Sequence, residues 1–182
     1  MGVRLSDDEV WQVLEDAHTG ILTTLRRDGR PVSLPMWFVA IERAIYLRTP
    51  ARSKKMARVR RDPRVGFLVE SGERWAELKA VHLSGRAEVI DDAESTGRVS
   101  SALDRKYAAF RTPREEQPRA TREHYAVEWV TLRIVPEGTP ITWDNAKLRL
   151  AKPRPATGAS ARPATATAAA SGASRATGGR EP

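Results

Sequence analysis

The sequence predicts a mainly β domain, an antiparallel barrel of six to seven strands with peripheral α-helices. Three observations carry this prediction. Short apolar runs follow one another with tight turn signals between them, as at Asp28-Gly29. Strands and helices do not alternate in the βαβ manner of a parallel sheet. Helical periodicity is confined to a few segments, and wide loops are few.

The elements follow in order. Ser6 with Glu9 three residues later forms a capping box, and Val10, Val13, Leu14 and Ala17 continue at helical spacing. This predicts an amphipathic helix over 7–17, stopped by Gly20. GILTTL and PVSLPMWFVA flank Asp28-Gly29 as a hairpin, and a second short turn at Glu42–Arg43 leads into AIYLRT. Three strands in a row argue for a meander. Ser53 can cap a short helix that ends at Asp62-Pro63, because a residue before proline avoids the helical region. VGFLVE and AVHLSGRAEVI read as two more strands, and 91–110 as mostly helix. Residues 111–122, with two prolines and many charges, read as loop or fray. WVTLRIVP and PITWD read as closing strands.

Composition divides the 182 residues into two parts, 1–150 and 151–182. The net charge is +8, and the last 32 residues contribute half of it, with five basic residues against one acidic. Twenty-six of those 32 are Ala, Thr, Gly, Pro or Ser. Such a segment cannot bury enough apolar surface to offset its ordering entropy, so a disordered cationic tail is expected. With no cysteine, disulfides, thiolate metal sites and cysteine nucleophiles are excluded. The start, MGVRLSDDEVWQ, lacks the apolar core of a signal peptide, and no run of 18 apolar residues occurs. A cytoplasmic protein with no membrane partner is expected.

Two places break local rules. Pro35 stands inside a predicted strand, where it removes a ladder donor. Either a flat ligand lies against the broken strand, or the strand is an edge packing on a partner chain. The second place is RTPARSKKMARVRRDP, residues 48–63, in which seven of sixteen residues are Lys or Arg. Lys54 and Lys55 fall in the first turn of the short helix, the end where the dipole disfavours cations. Arg52 and the Ser53 hydroxyl share that corner. Free amides, a hydroxyl and three cations at a helix start describe an anion site, while a solvated basic helix is the plain alternative. Nucleic acid would call for aromatic residues beside the cations, and residues 50–64 have none. His18, His82 and His124 lack metal-ligand spacing. No phosphate-binding Gly-rich loop and no Gly-x-Ser-x-Gly elbow is present.

Taken together, GILTTLRRDGRPVSLPMWFVAIERAIYLRTPARSKKMARVRRDPRVGFLVE (20–70), GRAEVIDD (85–92) and ITWDNAKL (141–148) resemble the split β-barrel flavin/deazaflavin oxidoreductases, the pyridoxamine 5′-phosphate oxidase superfamily. The resemblance spans most of 6–148. It implies a homodimer with a cofactor groove between the two barrels. The cofactor ring would rest against Pro35, Met36 and Trp37. Its phosphate would be held by the segment of Thr49, Arg52, Ser53, Lys54 and Lys55. Trp75 would sit near the groove and reach the partner's cofactor. Where pyridoxamine phosphate oxidases carry an arginine-rich C-terminal signature around a Trp, this chain has ITWDNAKL, which turns the expectation away from that substrate. That ending and Pro-Met-Trp-Phe more closely resemble the branch binding coenzyme F-420, common in actinobacteria, and an Ala- and Arg-rich composition is compatible with such a source. F-420 is therefore expected ahead of FMN. The implied activity is hydride transfer to a small electron-poor organic substrate, with no catalytic side chain assigned. The alternatives are an FMN-dependent oxidoreductase of the same fold and a non-catalytic binder of F-420, flavin or haem.

Overall fold

The computed structural model describes residues 3–148, so the predicted tail at 151–182 lies outside the described residues. Helix α1 spans Asp7–Asp16, with both hydrogen bonds of the Ser6–Glu9 capping box formed. Strands β1 (Gly20–Leu25) and β2 (Pro31–Met36) form the first hairpin. Gly29 turns it at φ 80°. Strands β3 (Val39–Ile41) and β4 (Ala44–Pro50) form the second. Helix α2 (Lys54–Arg61) is capped by Ser53. Strand β5 (Arg64–Ser71), a 3₁₀ turn at Trp75–Glu77, and the long strand β6 (Lys79–Ile90) follow. Helix α3 (Ala93–Tyr107) starts on the Asp92 cap. Strands β7 (Trp129–Pro136) and β8 (Ile141–Asp144) close the described chain.

Two segments differ from the sequence expectation. Residues 111–122, expected as loop, hold a 3₁₀ turn at Arg114–Glu116 and the start of a short helix α4, Arg119–Tyr125. Pro113 and Pro118 stand just ahead of these turns, where a missing N–H costs nothing. The expected single strand from Pro31 to Ala40 is two strands, so eight are present among the described residues. The ladder breaks at Trp37 and Phe38.

The sheet is antiparallel throughout and runs β2-β1-β5-β6-β7-β4-β3, with β8 also pairing β6. Strands β2 and β3 stand at opposite ends of this order, yet only two residues join them. The sheet therefore curls until its ends meet through the chain itself, which is the geometry of a split barrel. Pro35 obeys its steric rule because β2 is an edge strand. Strand β8 continues the line of β7 along one edge of β6, after a jog at 137–140. Gly85 lies where β6 changes partner from β8 to β7. A side chain there would meet the Val135 carbonyl at 2.3 Å.

Alternate residues of the strands fill the inside: Leu22, Ile45, Leu47, Phe67, Val69, Val81, Leu83, Leu132 and Ile134 are all at most 1% exposed. Val10 and Leu14 of α1, with Met56 and Val59 of α2, join the same core. Helix α3 lies on the outer face of β3 and β4, where Val99, Leu103 and Tyr107 pack on Val39, Ala44 and Tyr46. This stripe repeats every four residues, as one face of a helix must. No described helix is long and apolar enough to cross a membrane.

Candidate cofactor site

The core of the site is the Lys55 ammonium. Helix α2 carries Lys55 back over the barrel end, where its Nζ lies 2.9 Å from Thr49 Oγ1 and 3.2 Å from Met36 Sδ. Thr49 is fully buried and Lys55 half-buried. Burial holds the Lys55 pKa below its ordinary value, and the Arg58 charge pushes in the same direction. Arg58 is anchored by its Nε donating to Thr24 Oγ1 at 2.8 Å. The cations at 52, 54, 55, 58, 60 and 61 make no ion pair with a carboxylate among the described residues. Elsewhere basic side chains do find partners: Arg43 pairs with Asp7, Arg98 with Glu42, and Arg133 with Glu88. Like charges crowded on neutral oxygen and sulfur are a destabilised arrangement that an anion relieves.

Ser53 Oγ accepts the Met56 N–H at 3.3 Å, so the cap is used, and Lys54 projects outward. Arg52 and Ser53 line an open cavity of about 530 Å³ with Pro50, Val127 and Glu128. Among the described residues no three His, Asp or Glu side chains gather as a metal site.

The other half of the site is the break between β2 and β3. Pro35 is exposed, in register with Ile21, and Met36 turns the opposite way, inward to Lys55. Trp37 is 42% exposed and stacks on the Tyr107 ring, with centroids 4.4 Å apart and planes 6° from parallel. The Tyr107 hydroxyl accepts the Phe38 N–H at 2.9 Å and lies 2.8 Å from the carbonyls of both Phe38 and His18. Burial pushes the Tyr107 pKa up, which keeps the phenol proton available to donate.

These residues lie within a stretch that matches a known family: the pyridoxamine 5′-phosphate oxidase pattern covers residues 6–133. The chain belongs to the pyridoxamine 5′-phosphate oxidase family. Solved structures agree with the fold. A conserved hypothetical protein, Rv2991, from Mycobacterium tuberculosis is 32% identical, with a TM-score of 0.69 over 87% of this chain and 95% of that one. A FAD-binding protein from Mesorhizobium loti is 23% identical, with a TM-score of 0.58 over 75% of this chain and 93% of that one. An F420 reductase is 22% identical, with a TM-score of 0.52 over 70% of this chain and 92% of that one. No curated protein matches significantly.

In this member of the pyridoxamine 5′-phosphate oxidase family, the fold brings Met36, Thr49 and Lys55 into direct contact from three separate elements. Arg52, Ser53 and Lys54 follow at the start of α2. Trp75 is not joined to this cluster by any hydrogen bond, ion pair or ring contact among the described residues. Its indole is 58% exposed, and its carbonyl accepts from Asn145 Nδ2. Asn145 also takes the Trp143 indole N–H at 2.5 Å. The ITWDNAKL segment thus fixes the Trp75 turn, and Lys147 ties it to Glu9 at 2.6 Å. Sequence reasoning missed Tyr107 and Asn145. Tyr107 reads only as the last member of the α3 apolar stripe, and nothing local signals that its hydroxyl reaches Phe38, 69 residues away.

Proposed function

We propose that the chain is an oxidoreductase that binds coenzyme F-420 and passes hydride to a small electron-poor organic substrate. The observation that carries this reading is the unpaired cationic corner around Lys55, set beside a broken edge strand. Lys55, Arg52, Lys54 and the Ser53 turn supply charge and donors for the cofactor phosphate. Arg58 and the other α2 cations suit the acidic tail of F-420, which is why it is preferred to FMN. The described kinship with a FAD-binding protein and an F420 reductase supports a flavin-type ring. When bound, the deazaflavin supplies the two-electron chemistry, and the protein anchors, orients and excludes water. The ring would lie along Pro35, Met36 and Trp37.

The active unit is proposed to be a homodimer. Across the outer face, Pro35, Ile21, Leu68, His82 and Ile141 stand in one cross-strand row on β2, β1, β5, β6 and β8, with no Lys, Arg, Asp or Glu among them. Ile141 is 69% exposed, and Trp143 beside it 49%. A partner barrel packed on this face would bring its groove towards Trp75.

Titration of the purified, cofactor-stripped chain with F-420 and with FMN tests the reading. Tight F-420 binding with weak FMN binding supports it, and the reverse order makes the chain an FMN protein. Binding of neither overturns it. Lys55→Ala is expected to weaken F-420 binding by about 1.5–3 kcal/mol, the usual worth of a charge-assisted hydrogen bond.

A further inference from the structure

The two residues that leave the ladder between β2 and β3 create a local problem. Phe38 is fully buried, and a buried backbone N–H or carbonyl without a partner is costly. One side chain resolves it. The Tyr107 hydroxyl takes the Phe38 N–H at 2.9 Å, and its single proton has the Phe38 and His18 carbonyls in reach at 2.8 Å. The end of α3 is thereby tied both to the break and to His18, two residues ahead of β1. The Lys106 ammonium lies 4.4 Å from the Phe38 ring centre and clamps it from α3 as well.

The same tyrosine sets the angle of Trp37. Its ring backs the indole at 4.4 Å and 6°. Trp37 is 42% exposed, so part of the indole is left for a ligand to meet. Met36 reaches inward to Lys55, whereas Trp37 lies against Tyr107 of α3. A planar ring laid along the backbone of 35–37 therefore has Met36 and Lys55 at one margin and the Trp37 indole at the other. Without a ring behind it, the indole is free to rotate and that margin is lost.

We infer that Tyr107 is a positioning residue for the cofactor ring, holding the Trp37–Phe38 break and the Trp37 indole in the orientation that bounds the ring seat. This rests on the proposed reading that a flavin-type ring lies along residues 35–37. Tyr107 does not touch the phosphate corner, so its loss separates ring binding from phosphate binding.

The test compares the wild-type chain with Tyr107→Leu, which removes the stack, and Tyr107→Phe, which removes only the hydroxyl. The probes are F-420, FMN and inorganic phosphate, with affinity and the visible absorption of the bound ring as readouts. Tyr107→Leu is expected to lose roughly three- to tenfold in F-420 affinity, the range of an aromatic pair, and to blunt the change in the ring spectrum on binding. Its affinity for inorganic phosphate stays at the wild-type value. Lys55→Ala gives the opposite pattern, with phosphate affinity lost and the spectrum of the residual complex kept. A folded Tyr107→Leu chain with wild-type ring affinity and spectrum overturns the inference and leaves the cofactor reading intact. Equal loss of ring and phosphate affinity also overturns it, since that reports general damage. If Tyr107→Leu does not fold, Tyr107→Phe decides: a wild-type spectrum and affinity overturn the inference, and a changed spectrum with unchanged phosphate binding supports it. Failure of the wild-type chain to bind either ring overturns both readings.

Discussion

Lys55 carries a pH signature. In the free protein its pKa lies below the ordinary 10.5, because burial and Arg58 disfavour the charged form. A bound phosphate favours that form and raises the pKa again. Affinity is therefore full below the depressed pKa and falls as pH rises through it. Titrations carried up in pH to the ordinary lysine value of 10.5 should show weakening F-420 binding. Lys55→Arg should flatten that slope, since a guanidinium stays charged. Glu9 works in the opposite sense. The Lys147 ammonium, and then the Ser6 N–H, hold its carboxyl at about 2, below the usual 4.5. Its contribution to stability is present above about 4.5 and is lost as pH falls through about 2. The gap in melting temperature between wild type and Glu9→Gln should be widest above pH 5 and close towards pH 2. Gly20 is a steric case: a Cβ there would sit 2.1 Å from Phe67 Cζ, in the middle of the core. Gly20→Ala should cost about 1–3 kcal/mol in denaturant unfolding, the range for overpacking.

At the level of elements, the β3–β4 turn holds a conflict. Glu42 and Arg43 both adopt positive φ, 50° and 59°, without being glycine or asparagine. Such a turn matches the twist of a hairpin but strains an ordinary side chain. The two residues are also clasps: Glu42 pairs with Arg98 of α3 at 2.8 Å, and Arg43 pairs with Asp7 at the start of α1. Those pairs are exposed and screened by solvent, so they contribute little. Relief of two strained residues outweighs them. Replacing Glu42-Arg43 by Asn-Gly should raise unfolding stability by roughly 1 kcal/mol. A loss of stability would mean that the clasps dominate.

For the whole molecule, the row across β2, β1, β5, β6 and β8 carries no Lys, Arg, Asp or Glu and ends on the exposed Ile141. The His82 Nδ1 atom on it is buried with no hydrogen-bond partner among the described residues. Leu68→Lys places a charge in mid-row, and if the proposed homodimer packs on this face, sedimentation should shift from a dimer to a monomer. A mutant that keeps the wild-type sedimentation coefficient would exclude this face as the interface. If the cofactor groove lies between barrels, the same mutant should also lose F-420 affinity, although residue 68 is outside the Lys55 cluster.

The sequence by itself determined most of the elements, the β2–β3 break and α4 excepted. Period-two apolar runs, the Ser6–Glu9 box, the Asp28-Gly29 turn and the Ser53 cap are local signals, and local forces settle them. The basic start of α2 was legible as a candidate site for the same reason, since charge and helix polarity are both read along one short segment. What only the tertiary structure decided is everything that depends on contacts between distant segments. Whether Pro35 lies in the middle of a sheet or at its edge follows from the strand order, and the chain places β2 at the edge. The break at Trp37–Phe38 needs the Tyr107 hydroxyl to be tolerable, and that partner comes from another element. Lys55 could be read as a cation from its letter alone. That it rests on neutral Thr49 and Met36, with no carboxylate paired to it among the described residues, is a property of three elements folded together.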